Sequence, residues 1–466
     1  MDCPPNTTIR VKVENYIKEK GMTAKRFSET AGINPGTLSA VLKKNRSISV
    51  TILDRLTKGM RLSEGALYDL YIDECLVSHT PNWRRIRPFL YRCAAVDKLN
   101  CINVVAQRIV ENLTYVPMIF DIAEDFYESG KEEAAELLYK IVAKCEKYQY
   151  SERLTICQYR LFRLALSSDT ESNLRAAIRF EPYQDKLPEN FRLEALLQLA
   201  NVNYTLQRWD KMKYFADELR SLAKIVYRER QRGQKGKRKA RGPKTERDLV
   251  VYYGQGYLLK GAALEYEEKY EEAKEYIANY ADLSWFEGLD ENGKAEVERF
   301  AMFARMNLND INLLSGNFGT LEEYVQLIKQ QSEEIMPGLV TILKAANRYR
   351  IIIDDVLKQF TDQITNNQWN QGYYSKDTFK KRYIEFQYQL AVYFFGNSRC
   401  KEGMKRLLDC LKLCVQEDNK EKLLNCISLF TKFKTYATEE QYAEYETIVK
   451  GVNKDAETLT ISGYSR

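Results

Sequence analysis

The chain of 466 residues contains a single histidine. That scarcity excludes most familiar acid–base and metal chemistry, because every nucleophile–base pair or imidazole ligand set would have to be built on His79. No P-loop, HExxH, GxSxG or dinucleotide-binding glycine pattern occurs, so no phosphate cradle, zinc helix or nucleophile elbow is written in the chain. Prolines number only 10 and no stretch alternates apolar with polar residues, which favours long helices over strands. No run approaches the ~20 apolar residues that span a bilayer. The opening MDCPPNTTIR lacks the apolar centre of a secretion signal. The expectation is a cytoplasmic protein with no membrane partner. Ten cysteines are scattered without a CxxC pair, which suits reduced thiols in helix cores. Cys410 and Cys414 share a helical face, yet no four-ligand zinc set follows from the spacing, so neither metal nor cofactor is assigned. Paired acids such as Glu132 with Glu133 and Glu271 with Glu272 fit solvated helix faces, and no enzyme activity is expected.

What is present begins at Met22. The segment MTAKRFSETAGINPGTLSAVLKKN, residues 22–45, carries a suitable residue at each position that a helix-turn-helix constrains. Thr23 is placed to cap a first helix from Ala24 to Ala31. Gly32 supplies the positive backbone angle of the tight turn. Asn34 then caps, and Pro35 opens, a second helix. Phe27, Ile33, Leu38, Val41 and Leu42 fall on the faces that pack together. The opposite face of the second helix shows Gly36, Thr37, Ser39, Lys43 and Lys44, short polar groups followed by cations. Such a face suits a groove, with Thr23, Lys25, Asn34, Gly36, Thr37 and Ser39 near bases or backbone and Lys43, Lys44 and Arg46 on phosphates. Residues 1–62 hold twelve Lys and Arg against five Asp and Glu, a net of +7, as expected of a domain that binds double-stranded DNA.

Beyond this head, five segments share a tetratricopeptide-like pattern. They read AEDFYESGKEEAAELLYKIV from Ala123, LANVNYTLQRWDKMKYFADEL from Leu199, KGAALEYEEKYEEAKEYIANY from Lys260, NDINLLSGNFGTLEEYVQLI from Asn309 and, more weakly, AVYFFGNSRCKEGMKRLLDCL from Ala391. Their irregular separations require further helical pairs between them, for example around SERLTICQYRLFRLAL from Ser151. The 32 tyrosines suit joints between stacked helices. The expected fold is all-α: a Cro/repressor-like helix-turn-helix at 1–72, then a tetratricopeptide-like α-solenoid. Residues 73–227 form its first part and 248–466 its second, with a dimerisation end. Between them, residues 228–247 hold ten Lys and Arg against two Glu, a net of +8, so with a chain total of +6 the remainder sums to −9. This segment reads as a solvated, flexible insertion or as a tethered arm that adds phosphate contacts.

The segment from Ala24 to Lys43 resembles the Cro and phage-repressor class without a gap. A DNA-binding head on such an array resembles the peptide-responsive quorum-sensing regulators of Gram-positive bacteria, the class of the Rap, Npr, Plc and Prg receptors. Within it, the head, the connector LSEGALYDLYIDEC from Leu62 and the irregular repeats look most like the arbitrium receptors of temperate phages. The basic segment at 228–247 and the chain length depart from that pattern. The resemblance implies a homodimeric regulator whose operator binding is controlled by a short signalling peptide on the inner face of the repeats. It also implies C-terminal dimerisation, for which LLNCISLFTKFKTYA from Leu423 is a candidate, with ordinary intramolecular capping as the other reading. A peptide-regulated adaptor or phosphatase of the Rap type, or a ligand-independent repressor, are the alternatives.

Placing the repeat pattern on the sequence gives inner-face positions Glu194, Leu197, Asn201 and Tyr204, then Gln255, Leu258 and Glu265. Met306, Asn307 and Asp310 follow, and finally Glu385, Tyr388 and Gln389. The peptide-binding set is Asn201, Tyr204, Gln255, Glu265, Asn307, Asp310 and Tyr388, and the carboxylates among these positions favour a peptide bearing Arg or Lys.

Overall fold

Short polar side chains set the helix starts. Thr8, Thr23, Asn34 and Ser49 each accept a hydrogen bond from a backbone N–H in the first turn that follows, satisfying donors that have no partner within the helix. A computed structural model describes residues 8–43, 46–76, 82–146, 151–235, 245–366, 369–370 and 376–461. Among them there are 24 α-helices and no strand. No helix among them is long and apolar enough to cross a membrane. The chain divides into two compact units, residues 1–192 and 193–466.

In the first unit the order is α1 Ile9–Glu19, α2 Ala24–Ala31, α3 Pro35–Leu42, α4 Val50–Gly59, α5 Tyr68–Leu76, α6 Trp83–Ala95 and α7 Leu99–Ile109. There follow α8 Val116–Glu128, α9 Glu132–Cys145, α10 Glu152–Ala165 and α11 Thr170–Phe180. Helix α2 packs on both α3 and α4. The second of these contacts is close: a Cβ on Gly59 would lie 2.6 Å from the Cβ of Ala31. Farther along, α8 packs on α9 and α9 on α10. Arg160 of α10 is 9% exposed and grips half-buried Glu124 of α8 through Nε to Oε1 at 3.0 Å and Nη2 to Oε2 at 2.8 Å, a bidentate pair that satisfies the buried guanidinium.

Helix α12 Glu189–Thr205 crosses the division. The second unit continues with α13 Trp209–Lys235, α14 Leu249–Tyr266, α15 Tyr270–Ala278, α16 Glu291–Leu314, α17 Leu321–Gln330 and α18 Ile335–Tyr349. Short α19 Asp354–Lys358 and α20 Thr361–Asn366 precede α21 Lys376–Gly396, α22 Cys400–Gln416, α23 Lys420–Phe433 and α24 Glu439–Ile461. Helix α14 touches α13, α15 and α16; α16 touches α17 and α18; α21 touches α18, α22 and α23. Contact to the next helix and to the next but one is the pattern of stacked helical pairs, consistent with an α-solenoid. Gly256 permits the α13–α14 approach, since a Cβ there would stand 2.9 Å from the Arg220 nitrogen.

Each repeat-like segment covers the end of one helix, a turn and the start of the next: α8–α9, α12–α13, α14–α15, α16–α17 and α21–α22. All five turns carry one left-handed residue, at Gly130, Gln207, Glu268, Gly316 and Ser398. The shared geometry is therefore backbone geometry, which two of the five meet with glycine and three meet at a conformational cost.

The basic run starts inside a helix. Residues 228–235 prolong α13, because Arg, Lys, Gln and Glu are good helix formers. Residues 236–244 lie outside the described set.

Candidate nucleic-acid interface and inner face

The head follows from its caps. Thr23 Oγ1 accepts from Arg26 N at 3.2 Å, Gly32 adopts φ 64°, and Asn34 Oδ1 accepts from Gly36 N at 2.9 Å and Thr37 N at 3.4 Å. Phe27, Ile33, Leu38 and Val41 are buried, with Leu42 half-buried against them. Ser28 is fully buried and donates its hydroxyl to the Lys25 carbonyl at 2.7 Å. Opposite this core, Lys25, Gly36, Ser39, Lys43 and Arg46 are exposed while Thr37 is half-buried. Lys44 lies outside the described residues. Glu14, Lys25, Ser39 and Lys43 line a shallow recess on this side.

Two of the expected base-reading groups already have local duties. Asn34 spends its oxygen on the cap, and Thr37 Oγ1 accepts from Arg46 Nη1 at 3.4 Å. Ser39 is left as the exposed short polar group at the centre of α3. Arg10, which the sequence did not single out, donates through Nε to the Val41 carbonyl at 2.8 Å and through Nη2 to that of Arg46 at 3.4 Å. Likewise Arg55 Nη1 meets the Gly32 carbonyl at 3.0 Å. Cations at helix C-termini are favoured by the helix dipole, but contacts 31 and 23 residues apart leave no local signal.

On the second unit, part of the expected inner face is buried. Glu194 is 1% exposed, Leu197 4% and Met306 3%. Glu194 accepts from Arg247 Nε at 3.1 Å and Tyr252 OH at 2.9 Å, so this carboxylate belongs to the packing of the helices. Arg247, the last residue of the basic run, is correspondingly ion-paired. Asn201, Tyr204, Gln255, Leu258 and Tyr388 are half-buried.

Glu265 of α14, Asp310 of α16, and Lys344 and Arg382 of α18 and α21 act on one another. Burial, aided by repulsion from Asp310, pushes the Glu265 carboxyl up to about 8 against the pull of Lys344 and Arg382. Asp310 is raised in the same way by burial, although Tyr324 and Thr341 donate to it. Tyr324 OH reaches Asp310 Oδ1 at 2.6 Å, and Asn307 Nδ2 reaches Tyr280 OH at 2.8 Å. Beside them Tyr266 stacks on Trp209 at 4.4 Å with Tyr204 edge-on to both. Tyr266 is 52% exposed, yet burial raises its phenol well above the ordinary range.

Farther along, burial opposes ionisation of Glu385 but Lys344 and Lys422 overcome it and hold the carboxyl below its ordinary value. Lys344 Nζ stands 3.5 Å from Glu385 Oε1, and Lys422 Nζ lies 4.8 Å from the centre of the Tyr388 ring. Gln389 accepts at its side chain and backbone oxygens from Asn347 Nδ2 at 2.9 Å. The four carboxylates are thus paired, hydrogen-bonded or, at Glu265, pushed up by burial, and they do not present the free negative surface that suggested a basic peptide. Lys344 and Arg382 were not among the sequence candidates: α18 lies outside the five repeat-like segments, and Arg382 falls one turn before Glu385, the first inner-face position assigned on α21.

The Leu423 segment turns inward: Leu423, Cys426 and Phe430 are buried, and Phe430 stacks on Tyr445 of α24 at 3.7 Å. Leu424 and Tyr436 remain exposed. No protein-family model matches the chain, and no curated protein matches it.

Proposed function

We propose that this chain is a transcriptional regulator in which α2 and α3 form a Cro-like helix-turn-helix that reads operator DNA, and the inner face of α14–α23 holds a short signalling peptide that alters operator binding. The carrying observation is the two-sidedness of α3: Leu38 and Val41 are 1% exposed, while Gly36, Ser39 and Lys43 face solvent in a segment of net positive charge. A helix seated on α2 with an uncluttered polar edge and cations at its end is suited to the major groove. The desolvated cluster of Glu265, Asp310, Lys344 and Arg382 supports a ligand site, since convergent polar groups are what an extended backbone requires. The proposed active species is a homodimer, because two heads are needed to read two half-sites.

The test is fluorescence anisotropy of the full-length protein on duplexes from its own upstream region, with and without short peptides encoded beside the gene. Binding to one duplex at least tenfold tighter than to scrambled DNA, shifted by one peptide, is expected. Absence of any duplex binding would return the protein to the adaptor class.

A further inference from the structure

Three cysteines converge in the core of α21–α23. Cys410 and Cys414 lie one turn apart on α22 and Cys426 comes from α23. Their sulfur atoms all lie within 4.8 Å of one another, with Cys426 Sγ 3.5 Å from Cys410 Sγ. Each residue is 0% exposed, each is a free thiol, and none belongs to the inner-face cluster.

We propose that Cys410, Cys414 and Cys426 form a three-sulfur site for a soft, thiophilic ion, best matched by trivalent arsenic or antimony. Thiolates bonded at about 2.3 Å to a pyramidal trivalent centre stand roughly 3.4 Å apart, close to the 3.5 Å between Cys426 and Cys410 Sγ and inside the 4.8 Å that bounds the set. Among the described residues no other Cys, His, Asp or Glu joins the group, which disfavours zinc, since structural zinc takes four ligands. Charge decides among the rest. Three thiolates leave a copper(I) complex doubly negative in an apolar core, whereas a trivalent centre makes it neutral and avoids the cost of burying charge. Arsenous acid is small and uncharged, so local opening of the helices admits it. The step balances without an oxidant: three As–O bonds break, three As–S bonds form, the thiol protons leave with the hydroxides as three waters, and arsenic stays trivalent.

The experiment uses the full-length, reduced, chelator-treated protein titrated with arsenite, followed by sulfur-to-arsenic absorption, native mass spectrometry and X-ray absorption. One arsenic per chain with three sulfur neighbours and no oxygen is expected. Cys410→Ser, Cys414→Ser and Cys426→Ser should each weaken binding at least tenfold, while Cys101→Ser and Cys145→Ser should not. Fewer than three sulfurs, binding indifferent to all three substitutions, no binding, or tighter four-coordinate zinc binding would each overturn the assignment. The coordination number on the unaltered protein decides even if a serine variant fails to fold.

Discussion

Arg92 of α6 binds Asp54 of α4 through Nε to Oδ2 at 2.9 Å, and the same carboxylate accepts from Tyr68 of α5 at 2.6 Å. Three helices therefore share one acceptor, and α4 is the helix against which α2 rests at Gly59. The pair is about one-third exposed on each side, so its strength is moderated by solvent. A double-mutant cycle of Arg92→Ala and Asp54→Ala should return a coupling of about 1 kcal/mol from denaturant midpoints. Strict additivity would show that α4 is held by apolar packing alone.

On the proposed DNA face, Ser39→Ala should weaken the cognate duplex more than random DNA, by about 1 to 3 kcal/mol. Lys43→Ala should weaken both alike and lower the slope of log affinity against log salt by about 0.9. Asn34→Ala should act chiefly by removing a cap, costing about 1 kcal/mol of stability. Thermal melts beside anisotropy titrations separate the three, and an equal loss on both DNAs for Ser39→Ala would refute base reading by α3.

The left-handed turns give a stability test without reference to ligands. Gln207 holds φ 54° and is exposed, so Gln207→Gly should stabilise by up to about 1 kcal/mol, relief of strain outweighing the entropy of glycine. Gly130→Ala, at φ 73° with open space around it, should cost about 1 kcal/mol. Urea midpoints with unchanged slopes would confirm both signs.

Glu265 makes stability depend on pH. Its folded-state value of about 8 lies above the ordinary 4.5, so the fold disfavours the ionised form. The stability it permits is complete below about 4.5 and falls as pH rises toward 8. Glu265→Gln should flatten that decline, measured by denaturation at pH 5, 7 and 8.5. An identical profile in the variant would mean that the carboxyl is solvated.

Local chemistry was legible where it is local. Thr23, Gly32, Asn34 and Pro35 announce their positions because caps and turns depend on residues within three or four places, and the all-helical fold follows from the same periodicities. Five helix pairs were visible, but the rotation of each helix was not. Glu194, Leu197 and Met306 were assigned to the inner face and lie in the core, because a pattern matched at the turn drifts in phase along a helix of 17 or 24 residues. Lys344 and Arg382 carried no repeat signal at all. The cysteine triad shows the same limit: Cys410 and Cys414 share a face by spacing, whereas Cys426 joins them only through the packing of α22 on α23.

If the proposed ligand site lies at Glu265, whose carboxyl burial pushes up to about 8, that carboxyl would act as a donor and favour guests that offer a carbonyl or carboxylate oxygen. A guest that brings a cation instead must expel the proton into the medium. Calorimetry would then read a binding heat that tracks the ionisation enthalpy of the buffer, while an oxygen-bearing guest would give the same heat in phosphate and in Tris. The protons exchanged on binding would thus report which kind of guest the proposed site takes.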